Sequence, residues 1–93
     1  METIWKYNID TIDRQTIQMP RNAEILTVQT QNGSPCLWVR VNTSSPDEIR
    51  KIEICGTGRE LPKSSWAYIG TYEIAGDTLG YHVFEIKGEE NES

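Results

Sequence analysis

The sequence predicts an all-β protein, a small antiparallel β-sandwich or barrel of six to seven strands with at most one or two short helical turns. Three observations lead there. Turn signals recur about every 8 to 12 residues, the spacing of a compact all-β domain. The segments between them alternate apolar and polar residues, as half-buried strands do. No stretch keeps a helical period with caps at both ends.

Taken in order, "TIWKYNID" sets Trp5, Tyr7 and Ile9 against Ile4, Lys6 and Asn8. "QTIQMP" is a short extended piece stopped by Pro20. "AEILTVQTQ" places Leu26 and Val28 on one side and Ile25 on the other. Asn32-Gly33 is a strong hairpin signal, with Ser34 and Pro35 expected to lengthen the loop beyond two residues. "PCLWVRV" then turns Leu37, Val39 and Val41 away from Cys36, Trp38 and Arg40. "NTSSPDE" is a loop in which Ser45, Pro46, Asp47 and Glu48 are suited to open one helical turn. "IRKIEIC" sets Ile52 and Ile54 against Lys51, Glu53 and Cys55. The loop "GTGRELPKSSW" precedes "AYIGTYEI", and the Gly76-Asp77 turn leads into "LGYHVFEI". Of the aromatics, Trp5, Trp38, Tyr68, Tyr72 and Phe84 fall in these strands, and most are expected in the core.

The totals narrow the function classes. The 93 residues suit one domain, read as 1–87 with an acidic disordered tail at 88–93. Hydrophobic residues at 37% and charged residues at 25% are globular proportions. Net charge is −5, of which Glu89, Glu90 and Glu92 supply three units. An acidic chain with no basic stretch is poorly suited to gripping duplex nucleic acid. No apolar run approaches a membrane span or resembles a signal peptide, so a soluble, cytoplasmic protein with no membrane partner is expected. Cys36 and Cys55 sit in no CxxC arrangement and there is one histidine, so a zinc site within one chain is not expected. Buried free thiols are expected over a disulfide.

Enzyme readings find little support. His82 is flanked by Tyr81 and Val83 in a strand, and no nucleophile elbow or HExxH accompanies it. Such a histidine is more often packed and hydrogen-bonded than catalytic. Glu53 and Glu85 read as solvent-side strand positions, not as a carboxylate pair in a cleft. No catalytic residue, metal or cofactor is therefore expected.

"ICGTGRELP" invites more thought. A phosphate-binding glycine loop normally feeds a helix, but Pro62 follows here with no helical pattern behind it. Two readings remain. In one, the amides of the turn form an anion nest, assisted by Thr57, Gly58 and Arg59. In the plainer one, the glycines supply positive φ where a strand ends. Trp66, in the polar loop beyond, is either a stacking platform for a base or a lid over the end of the fold.

"WKY" at 5–7, "MP" at 19–20, "VQTQNGSPCLWVRV" at 28–41, "GTG" at 56–58, "YIGTY" at 68–72 and "HVFE" at 82–85 together resemble a family of small uncharacterised proteins of bacteriophages and bacterial prophages. The resemblance spans nearly the whole chain and brings no established activity. It implies a phage accessory protein working in the cytoplasm of a bacterial host cell. The family pattern commonly has histidine where this chain has Arg59, so a basic or hydrogen-bonding side chain is what the position shares.

Two functions then compete. One is sequestration of a small anionic, nucleotide-like ligand such as a bacterial immune signal, held at an interface of a homo-oligomer. Thr57, Gly58 and Arg59 would take the phosphate, Trp66 the base, and Arg40 or His82 would be accessory donors. The other is inhibition of a host bacterial protein through a strand edge or an acidic surface.

Overall fold

Every alternating segment becomes a strand. The structure, a computed structural model, describes residues 1–88. Its strands are β1 (Glu2–Asn8), β2 (Arg14–Pro20), β3 (Glu24–Gln31), β4 (Ser34–Asn42), β5 (Asp47–Gly56), β6 (Trp66–Glu73) and β7 (Gly80–Ile86). They form a three-stranded sheet, β1-β4-β3, and a four-stranded sheet, β2-β5-β7-β6. Each hydrogen-bonded pair is antiparallel, and the sheets stack as a small sandwich. No helix long and apolar enough to cross a membrane is present among the described residues. The acidic tail read from the sequence lies, beyond Gly88, outside them.

The expected helical turn at Ser45–Glu48 does not form. Asp47 and Glu48 instead open β5, where they pair with Pro20 and Met19 of β2, and the Pro46 carbonyl accepts from Arg21 N at 2.8 Å. A partner strand outcompetes a lone helical turn, whose nucleation is unfavourable. The β3–β4 hairpin is also tighter than expected. Gln31 pairs with Ser34, leaving Asn32 and Gly33 as a two-residue loop with φ of 53° and 82°. Positive φ at both positions marks a type I′ turn. Nothing lies within 4 Å of a Cβ added at Gly33, so Gly33→Ala tests backbone strain alone. We expect it to cost about 1 kcal/mol in chemical denaturation.

The core follows the alternation in the central strands. Leu37, Val39 and Val41 of β4 meet Ile52 and Ile54 of β5, Val83 of β7 and Met19 of β2. Each such side chain contributes about 1.5 to 3 kcal/mol relative to exposure. Cys36 and Cys55 are free and buried, on different sheets. Most of the strand aromatics are not core. Only Tyr72 joins the inner cluster, whereas Trp5 and Tyr68 are 42% and 55% exposed. Trp38 is half-buried and donates to Gln29 Oε1, and Phe84 is buried against the outer face of its sheet.

Two β-bulges break the alternation. At Ile25/Thr27 the extra residue turns Ile25 towards the core with Val28 and leaves Leu26 exposed, the reverse of the grouping expected. The second, at Tyr68/Gly70, reshapes β6 where it approaches β3. A Cβ on Gly70 would lie 2.8 Å from Val28 Cγ1.

Glu85, read as solvent-side, is buried at 6% exposure. It lies on the inner side of β7 with Val83, where it accepts from Arg50 Nε and, at 3.0 Å, from Arg50 Nη2. Lys87 Nζ stands 3.3 Å from the same carboxylate. Arg50 also donates to the Ala23 carbonyl at 2.9 Å, and Glu48 approaches at 3.4 Å. Burial alone would raise the pKa of Glu85, but the hydrogen bonds and charges of Arg50 and Lys87 outweigh it and lower the value.

Candidate functional site

β5 and β6 both run antiparallel to β7, which lies between them, so they are parallel to each other. The chain leaving β5 at Gly56 must therefore cross the sheet and travel its length before β6 starts at Trp66. Thr57 N donates to the Gly80 carbonyl at one end of this crossover, and Lys87 N donates to the Ser65 carbonyl at the other. The crossover covers Cys55, whose thiol lies 3.2 Å from the Glu60 carbonyl. Between it and strands β6 and β7 lies a groove of about 480 Å³, lined by Gly56–Arg59, Leu61, Trp66, Tyr68, Thr71, His82 and Phe84.

The groove's first wall is the opening turn of the crossover. Arg59 N donates to the Gly56 carbonyl at 3.0 Å, and Gly58 takes φ 92° at the position where a type II turn needs it. The consecutive amides of an anion nest are thus not available, because those of Thr57 and Arg59 are already bonded inside the fold. The plainer reading of the glycines describes the turn itself. The stem of Arg59 packs over Gly56, whose added Cβ would meet Arg59 Cγ at 3.8 Å. Its guanidinium makes no ion pair or hydrogen bond among the described residues.

The second wall is aromatic. Trp66 meets Phe84 edge to face, with ring centroids 4.6 Å apart, and Tyr68 meets it at 5.6 Å. Trp66, expected in a loop, instead opens β6 opposite Ile86, where it remains 39% exposed and borders the groove. The floor is polar. His82 Nε2 is 2.9 Å from Thr57 Oγ1, and Nδ1 is 2.9 Å from Thr71 Oγ1, which also bonds the Tyr68 hydroxyl. Thr57 Oγ1 donates to the Gly80 carbonyl at 3.1 Å. Strict alternation would put Tyr68 and Thr71 on opposite faces. The Tyr68/Gly70 bulge restores them to one face.

Of the residues expected to form a site, Thr57, Gly58, Arg59, Trp66 and His82 gather around this groove. Arg40 does not. It lies on β4 in the other sheet, ion-paired with Glu24 at 2.9 Å. His82 and the Thr57 hydroxyl are held by internal hydrogen bonds, so they brace the groove, and Arg59 is its unpaired cation among the described residues. Tyr68, Thr71, Phe84 and Leu61 were missed as lining residues. For Tyr68 and Thr71 the sequence signal was Gly70 inside the β6 pattern, since an isolated strand glycine marks a bulge.

A second cleft, of about 780 Å³, lies on the β2 side of the crossover. It mixes Arg14, Lys51 and Lys63 with Glu53 and Glu60, and Arg14 pairs with Glu53 at 3.3 Å. The two carboxylates offset most of the cationic charge, so its field is weak. Among the described residues, no group of three or more His, Cys, Asp or Glu is placed to hold a metal ion.

No curated protein and no solved structure matches the chain. One family model, described as "Domain of unknown function (DUF7352)", matches residues 1–93, and the chain belongs to that family.

Proposed function

We propose that the groove binds a small anionic, nucleotide-like ligand and that the protein sequesters this ligand without transforming it. The observation that carries the reading is the Arg59 guanidinium, without an ion pair among the described residues, beside the aromatic wall of Trp66, Tyr68 and Phe84. A guanidinium supplies a fork for a phosphate or carboxylate, and exposed aromatic planes supply stacking surface for a base. Both ring nitrogens of His82 are hydrogen-bonded to threonines, so neither stands free to act as a general base. In this reading the protein is a phage-type accessory factor in a bacterial cytoplasm. A bacterial immune signal is the class of ligand it removes. The groove is open along the sheet face, and a second copy closes it over the ligand.

The test is a panel of mononucleotides, cyclic nucleotides and cyclic dinucleotides, read by melting temperature and native mass spectrometry. At least one is expected to raise the melting temperature and to appear as bound mass. Arg59→Ala should weaken its binding by at least about tenfold while leaving the unliganded melting temperature nearly unchanged. If no member of the panel shifts the wild-type protein, sequestration of a nucleotide is wrong.

A second reading has its own observation. Edge strand β1 leaves Ile4 and Trp5 exposed beside unpaired backbone groups, a surface suited to strand addition by a host protein. That reading predicts a pull-down partner lost on Trp5→Lys and indifferent to Arg59→Ala.

A further inference from the structure

The hydrogen bonds on the groove floor form one directed chain, and its direction follows from counting protons. The Gly80 carbonyl can only accept, so its bond with Thr57 Oγ1 uses the single hydroxyl proton of Thr57. His82 Nε2 must then carry hydrogen and donate to Thr57. In a neutral ring Nδ1 is bare, so Thr71 donates to it. Thr71 has no proton left for Tyr68 and therefore accepts from the Tyr68 hydroxyl. With neutral His82 every proton in the chain points inward, and Tyr68 offers the groove only acceptor lone pairs.

Protonation reverses half of this chain. A proton added at Nδ1 must donate to Thr71, whose own hydroxyl then turns to Tyr68. The Tyr68 oxygen now accepts from inside, and its proton points out into the groove. No heavy atom has to move. Among the described residues, the other titratable or charged groups that β5, the crossover and β6 bring to this side of β7 are Cys55, Arg59, Tyr68 and Glu73.

We propose that Tyr68 is a ligand-contacting residue of this groove and that His82 switches its hydroxyl from acceptor to anion donor on protonation. Anions then meet the Tyr68 hydroxyl as a donor beside Arg59 when His82 is charged, and lose it when His82 is neutral. Tyr68 thereby selects for anionic ligands in the charged state. This rests on the nucleotide-binding reading above.

Two measurements test it, and they fail separately. His82 is the only histidine in the chain, so its ring nitrogens can be read without ambiguity by long-range ¹H–¹⁵N NMR. The ligand-free protein at about pH 8, where a histidine is ordinarily neutral, should show hydrogen on Nε2. An Nδ1–H tautomer overturns the switch whatever the groove binds. The second measurement is titration with 3′,5′-cyclic AMP, whose single phosphodiester charge does not change across the range used. Tyr68→Phe should weaken binding about tenfold at about pH 5.5 and leave it within about twofold at about pH 8. Equal weakening at both pH values, or none at either, overturns the donor role of Tyr68. Absence of cyclic AMP binding to the wild-type protein at both pH values overturns the ligand role outright, even with the expected tautomer in place.

Discussion

Glu85→Gln is expected to destabilise the protein by about 3 kcal/mol, because it leaves the Arg50 charge inside the sandwich without its main partner. The side chains of Arg50 and Glu85 are only 13% and 8% exposed, so water cannot replace the lost carboxylate. The Ala23 carbonyl and Glu48 remain, which keeps the loss short of that for a fully isolated charge. For a domain of this size such a loss lowers the melting temperature by about 12 to 24 °C. Replacing the pair together, with Arg50→Met and Glu85→Leu, should recover most of the loss, since an apolar pair of similar volume needs no desolvation.

The same pair sets a pH dependence whose sign is fixed by the direction of the shift. Glu85 titrates lower in the folded protein than its ordinary 4.5, so the folded state binds that proton less readily than the unfolded chain. Its stabilising contribution is therefore fully present above about pH 4.5 and is lost as pH falls through the folded value. Melting temperature should drop more steeply below about pH 4.5 in the wild type than in Glu85→Gln, which has no carboxylate to protonate at 85. Parallel curves for the two proteins would show that Glu85 carries no net favourable pairing.

The second large effect lies at the bulge. Gly70→Ala places a Cβ 2.8 Å from Val28 Cγ1, closer than carbon atoms approach. Val28 is buried at 5% exposure and β-branched, so it cannot swing aside as a long side chain would. The expected cost is about 1 to 3 kcal/mol in denaturant unfolding. Adding Val28→Ala removes the clashing methyl, and the double variant should be more stable than the two single losses predict, by about 1 kcal/mol or more. Additive losses would mean that the sheets part freely at this point. Since the bulge also brings Tyr68 and Thr71 to one face, Gly70→Ala should disturb the His82 ring resonances, although residue 70 does not line the groove.

Strand propensity, alternation and turn chemistry are local, and they made the fold class legible. Asn32-Gly33 dictates its own hairpin, and the inward sets Leu37/Val39/Val41 and Ile52/Ile54 follow from a period of two. The glycines of "GTGRELP" and the proline behind them were likewise enough to reject a helix-capped phosphate loop.

The groove needed more than local pattern. It exists because β7 inserts between β5 and β6, making them parallel and sending the connection across the sheet face. Its joining of Tyr68 to Thr71 on one face depends on one bulge residue that shifts the face of everything after Tyr68. Glu85 faces inward by the same alternation as Val83, but it can stay charged there because Arg50 of β5 neutralises it, a pairing between strands that neither segment shows alone. Period and turn type are properties of neighbouring residues, so the amino-acid order sets them directly. Strand insertion, bulge register and buried charge pairs are contests between distant segments, and only the folded chain resolves them.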